Sequence, residues 1–257
     1  MRFYLGTHQT QWLDRTDVPL FISERRLEQR TSLPRARGAW ALDSGGFSQL
    51  FLHASWPVDS EQTYVEHVRR YRDEIGNLEW AAPQDWMCEP FMLEKTGLSV
   101  QEHQLRTVDN YMTLRSLDDS LPFIPVLQGY ERDDYLHCID LYRQHGISLA
   151  GRVGIGTVCR RQGTREAEQI VRAIHAEIPL AQLHVFGAKI TGLALFSDAI
   201  TTADSMGWSY HARRRPPMPG HTHQNCANCM PFALAWYDHV NESMPKYRQS
   251  NLWELVD

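Results

Sequence analysis

AWALDSGGFSQL, residues 39–50, breaks a habit of buried strands. A short apolar run, AWAL, ends in the carboxylate Asp43, and Ser44, Gly45, Gly46 and Phe47 follow at once. Glycine pairs permit tight turns and close approach of the backbone to a ligand. A carboxylate at the end of a buried strand therefore reads in two ways, as a turn residue or as a group facing a pocket.

Seven other short runs resemble this one: RFYLGT (2–7), PLFIS (19–23), LEWAAP (78–83), FIPVLQG (123–129), RVGIGT (152–157), QLHVFGA (182–188) and TTADS (201–205). Several are continuously apolar rather than alternating, which suits parallel strands covered on both faces. The intervals mostly carry apolar residues at helical spacing, as in residues 60–76, 99–117 and 164–178. Asp59-Ser60 and Thr164 are the expected helix caps. Eight strands alternating with helices in about 200 residues predict an α/β fold, a (β/α)8 TIM-type barrel near its lower size limit. An open doubly wound sheet is the alternative.

In a barrel, chemistry belongs at the C-terminal strand ends. Polar residues fall there repeatedly: Asp43 and Ser44, then Asp85, Gln128 and Gly129, Gly154 and Gly156, Gly187 and Lys189, and Asp204. Two carboxylates, Asp43 and Asp204, can divide labour as nucleophile and acid/base, which is how bonds to an anomeric carbon are commonly broken. Asp85 and Gln128 can read the hydrogen-bonding edge of a planar heterocycle.

The composition break lies at residues 212–229, Arg- and Pro-rich and then Cys/His-rich. It divides the chain into a catalytic barrel, 1–211, and a small zinc-binding subdomain with a C-terminal helix, 212–257. His223, Cys226 and Cys229 sit on one tight loop, a soft donor set suited to tetrahedral Zn2+ in a structural role. His239, on the helix that follows, is the expected fourth ligand and His221 the competing one.

Net charge is −5, so the whole molecule is no polycation. Nucleic-acid binding must come from local patches. Arg213, Arg214 and Arg215 follow Trp208 and Tyr210; Arg160, Arg161 and Arg165 follow the sixth strand; Arg30, Arg35 and Arg37 precede the third. The first two clusters are placed to flank a pocket mouth, where Arg and aromatic rings suit a nucleic-acid backbone and its bases. No apolar run approaches the length of about 18 residues that a membrane span needs. The N-terminus MRFYLGTHQT has no export leader, so a cytoplasmic protein is expected.

Taken in order, ALDSGGF, PVLQG, VGIG, VFGAK, ADSMGWSYHAR and the Cys/His cluster resemble the tRNA-guanine transglycosylase superfamily. The match is closest to its DNA-acting branch, the 7-deazaguanine DNA-modification (DpdA-like) proteins, which FYLGTHQTQWL and VPLFIS also resemble. The resemblance implies a barrel that breaks an N-glycosidic bond. It makes Asp204 the nucleophile at C1′, Asp43 a base and substrate contact, and Asp85, Gln128 and Gly129 base-recognising groups. Gly156 would lie beneath the base, with Ser44, Lys189 and Arg213 as further substrate contacts. DNA and a free 7-deazaguanine base are the implied partners. The metal loop departs from the family's usual Cys-x-Cys-x-x-Cys with a distant His, and the chain is shorter than the tRNA enzymes. The expected reaction is exchange of guanine in DNA for a preQ0-type base. A DNA glycosylase that leaves an abasic site, as in phage defence, a tRNA transglycosylase, and a non-catalytic nucleic-acid binder are the alternatives.

Overall fold

The computed structural model describes residues 1–158 and 164–243. Eight strands form one parallel sheet: β1 (Arg2–Thr7), β2 (Leu20–Ser23), β3 (Trp40–Asp43), β4 (Leu78–Ala81), β5 (Val126–Leu127), β6 (Arg152–Ile155), β7 (Gln182–Val185) and β8 (Thr202–Ser205). Each falls within a run that the sequence marks as a strand. The order is β4-β3-β2-β1-β8-β7-β6-β5. The sheet curls until its two ends meet at a parallel bridge between Ala81, on β4, and Phe123, just before β5.

The helices are α1 (Gly46–His53), α2 (Ser60–Glu74), α3 (Pro90–Thr96), α4 (Val100–Leu117), α5 (Arg132–Gln144), α6 (Arg165–Glu177), α7 (Ile190–Phe196), α8 (Gly207–Ala212) and α9 (Met230–Ser243). Their apolar stripes explain the docking. In α6, Ala167, Ile170, Val171 and Ile174 are all buried, a spacing that puts them on one face. Thr164 caps α6 as expected, its hydroxyl accepting from the Ala167 N–H at 3.2 Å. Asp59 precedes α2 but does not cap it through its side chain; its φ of 57° turns it into the left-handed region instead. The links from β1 to β2 and from β2 to β3 carry only short 3-10 turns. Cover for β1 comes from far along the chain, where Phe3 packs against Trp236 and Tyr237 of α9, with ring centroids 5.8 and 6.1 Å apart. The expected boundary at 211/212 falls inside α8.

Strand alternation sorts the side chains into two cores. Leu5, Ile22, Leu42, Val153 and Val185 face the helices, within the large core. Tyr4, Phe21, Ala41, Trp80, Ile124 and Val126 face inward as a second, aromatic-rich cluster. The N-terminal end of this interior is plugged by polar side chains. Arg152 donates to the Tyr4 hydroxyl at 2.9 Å, which also accepts from the Trp80 indole at 3.1 Å and binds Glu79. With that end sealed, the interior opens toward the C-terminal strand ends.

Candidate active site

At that open end lies a cavity of about 230 Å3, walled by Phe21, Asp43, Ala82, Asp85, Gln128, Gly156 and Phe186, among others. It is smaller than the roughly 300–1,000 Å3 of drug-sized ligand sites and suits one planar heterocycle. The Phe21 and Phe186 rings, 5.9 Å apart, supply aromatic walls. Met87, Phe47 and the buried Glu89 line the cavity as well.

The back wall is a fixed hydrogen-bonding edge. Thr157 donates to Gln128 Oε1 at 2.6 Å, which leaves Gln128 Nε2 to donate to Asp85 Oδ2 at 2.5 Å. Thr157 is itself held by the Cys88 N–H at 2.9 Å. Its φ of 59° is costly for a β-branched residue. Glycine is required at 156, where a Cβ would sit 2.2 Å from Gln128 Nε2. The amide of Gln128 is thus locked in one orientation by its neighbours.

Asp43 ends β3 on the inward face, two residues after Ala41. The Ser23 hydroxyl and the Gly45 N–H hydrogen-bond to it, yet burial outweighs them and raises its pKa from 3.8 to about 6, with Asp204 and Glu24 adding repulsion. The turn that follows needs glycine: Gly45 has φ +78° and its α-carbon faces the Arg25 side chain. Burial also lifts Asp85, to about 7, and the charge of Asp43 adds to the rise. Two neighbouring carboxylates poised near neutrality suit proton transfer at physiological pH.

Asp204, 5% exposed, sits inward on β8. Its Oδ1 accepts from the Gly187 N–H at 2.9 Å and lies 3.3 Å from His184 Nε2. His184 Nδ1 is 2.9 Å from the Thr202 hydroxyl. Burial depresses the pKa of His184 against the pull of Asp204, so the imidazole is neutral at pH 7. The result is a carboxylate held by the Gly187 N–H, with the His184 ring alongside it, behind the Gly187 wall of the cavity.

Not every residue expected at the pocket reaches it. Gly129 packs on α5, where a Cβ would press on Asp134 and Tyr135. Ser44 lines a neighbouring cavity and touches this one only through Asp85, 3.5 Å from its Oγ. Lys189 lines a separate hollow with Ser205, His211 and Trp236. Arg213 is exposed at the end of α8, and its charge acts with that of Arg26 on the His8 ring. Arg214 lies over the Tyr210 ring, 3.4 Å from its centroid. Arg160 and Arg161 fall outside the described residues. Conversely, Phe21, Phe47, Met87, Thr157 and Phe186 wall the cavity without having been singled out by the sequence.

A second group gathers away from the pocket. His221, His223, Cys226 and Cys229 bring one ligand atom each to within 4.8 Å of one another, a set that can hold a metal ion. His239 does not join it. Helix α9 begins directly after Cys229 and carries His239 about 15 Å along its axis, ten residues at 1.5 Å each, onto an exposed position. His221 takes the fourth place because it lies on the loop itself, its Nδ1 3.4 Å from Cys229 Sγ.

A parallel α/β protein with clustered carboxylates at the C-terminal strand ends is an enzyme architecture. The chain belongs to the DpdA family, DeoxyPurine in DNA protein A, whose model matches residues 1–254. This is the DNA-acting branch of the tRNA-guanine transglycosylase-like proteins, and membership supports a DNA-modifying, transglycosylase-like enzyme. No curated protein matches the chain. Among the described residues no helix is long and apolar enough to cross a membrane.

Proposed function

We propose that this protein exchanges guanine in DNA for a 7-deazaguanine base of the preQ0 type, in a sheet that works as a closed (β/α)8 barrel. The observation that carries the reading is a base-sized cavity lined by Asp43, with the Gln128–Asp85 edge as its back wall and with Asp204 bonded to the N–H of its Gly187 wall. A nucleotide flipped from the duplex would place its base in the cavity. Asp204 attacks C1′, the bond from C1′ to N9 breaks, and the departing base takes a proton at N9 from Asp43. The sugar is then held as an ester on Asp204. Asp43 removes the N9 proton of the incoming base, which attacks C1′ and releases the carboxylate. A pKa near 6 lets Asp43 serve in both directions.

We assign zinc to the Cys/His group in a structural role. The separations His223 Nε2 to Cys226 Sγ of 3.1 Å and His221 Nδ1 to Cys226 Sγ of 3.8 Å compare with the roughly 3.4–3.8 Å edges of a tetrahedral N/S shell. The exposed arginines 213–215 are assigned to the DNA backbone.

The test uses end-labelled DNA with wild type and Asp204→Asn, with and without free preQ0. Asp204-dependent incorporation of preQ0 into intact DNA is the expected result. Alkali-labile breaks that form without any free base, and vanish in the variant, mean excision to an abasic site and overturn exchange.

A further inference from the structure

Three nitrogen-bearing side chains stand where three adjacent strands end. His8 follows β1, Arg26 closes the short 3-10 turn after β2, and Arg213 follows α8, the helix after β8. In the sheet β1 lies between β2 and β8, so the three rise side by side at the end where the base cavity opens. All three are exposed. The segments that carry them are fastened. The Trp208 indole of α8 donates to the Gly6 carbonyl at 2.8 Å, and Gln9 Nε2 donates to Asn228 Oδ1 at 3.1 Å. The turn of Arg26 leans on the turn behind Asp43, where a Cβ on Gly45 would stand 2.7 Å from Arg25 Cγ.

Their chemistry is that of an anion site. Arg26 Nε donates to His8 Nδ1 at 3.3 Å, so the ring is a neutral imidazole whose remaining N–H, at Nε2, is a donor. Burial and the charges of Arg26 and Arg213 hold the His8 pKa below its ordinary value. Elsewhere on the surface Arg2, Arg69, Arg143 and Arg172 pair with carboxylates; among the described residues Arg26 and Arg213 do not. An anion set among the three groups offsets both guanidinium charges and accepts their hydrogen bonds. Height along the sheet decides which anion. Tyr4 is registered on Asp204, so His8 stands four residues, about 13 Å, beyond that carboxylate along the strand direction. A group at that height meets the backbone flanking a flipped nucleotide rather than the base in the cavity.

We propose that His8, Arg26 and Arg213 form a phosphate site that grips a DNA phosphodiester beside the flipped nucleotide. The site rests on the DNA-modifying function given above and carries the backbone contact of residues 213–215 across to β1 and β2. Binding is linked to a proton. The phosphate offsets the two charges that disfavour the imidazolium, so His8 takes up a proton from solvent at Nδ1. That nitrogen turns from acceptor to donor and releases Arg26 Nε to the phosphate. The bound state holds the proton more tightly than the unbound one, so affinity rises as pH falls through the titration of His8.

Fluorescence anisotropy with a single-stranded oligonucleotide, no free base present, compares wild type with Arg26→Gln, His8→Gln and Arg115→Gln. The last makes the same charge change as Arg26→Gln in the final turn of α4, where the chain returns to start β5. Arg26→Gln is expected to bind about tenfold more weakly, with a slope of log affinity against log salt smaller by up to about 0.7; Arg115→Gln keeps both values. Calorimetry at pH 7 in two buffers of different ionisation enthalpy should show proton uptake on binding by wild type and none by His8→Gln. Affinity, slope and proton uptake that are the same in wild type, Arg26→Gln and His8→Gln overturn the site. Proton uptake with inorganic phosphate alone, and none with the oligonucleotide, assigns the site to a free anion and overturns the backbone contact. Affinity that depends on Arg26, in a protein that shows no Asp204-dependent exchange, keeps the site and removes the exchange reading. Exchange with an affinity indifferent to Arg26 and His8 does the reverse.

Discussion

Replacing Asp85 with Asn should make the protein more stable at alkaline pH while damaging its pocket. Asp85 is forced to ionise in a site that disfavours the charge, which lifts its pKa from 3.8 to about 7. At about 1.4 kcal/mol per pH unit, that rise is worth about 4 kcal/mol. The side chain keeps partial access to the pocket, and solvent screening trims the figure to about 2–3 kcal/mol. The sign follows from proton binding. Between pH 4 and 7 the native state holds a proton that the unfolded chain has released, so stability falls as pH rises through this window. Asn carries no charge and preserves an oxygen for Gln128 Nε2. Urea denaturation at pH 8 should therefore show Asp85→Asn more stable than wild type by about 2–3 kcal/mol, with the gap closing toward pH 4. A variant no more stable than wild type at pH 8, or a gap that is the same at both pH values, refutes the account of Asp85 as a strained carboxylate.

Gly156→Ala should displace the Gln128 side chain, cost about 1–3 kcal/mol in stability, and abolish binding of free 7-deazaguanine at the base pocket; unchanged calorimetric affinity would show that Gln128 does not read the base. Stripping metal with a chelator should lower the melting temperature, as should His221→Ala, because structural metal binding is coupled to folding. His239→Ala should leave the metal content measured by mass spectrometry unchanged, and loss of metal there would restore His239 as a ligand. Changing Arg213, Arg214 and Arg215 to Ala should reduce the slope of log affinity for DNA against log salt by up to about 0.9 for each phosphate that is no longer neutralised; an unchanged slope moves the backbone track elsewhere on the surface.

The sheet was legible because most of its strands are short runs of apolar or β-branched residues set apart by helical or polar intervals, a pattern that burial on both faces imposes. Asp43, Asp85, Gln128, Gly156 and Asp204 were legible because polar and glycine residues are conspicuous at the ends of such runs. The pocket walls were not. Phe21 and Phe186 are aromatic residues in apolar runs, which in one dimension look like core, and only the curl of the sheet turns them onto a cavity. His221 and His239 differ by distance along a helix that spacing alone does not fix.

Strand β1 lies between β2 and β8, with Tyr4 registered on Asp204, and its outer face rests on α9. On the ribosome, β1 must therefore wait for partners made some 200 positions later. Such long-range closure is slow. During synthesis, the emerging β1 exposes an apolar edge that a chaperone or a neighbouring chain can capture. Asp204 reaches its place beside Tyr4 only in that late pairing.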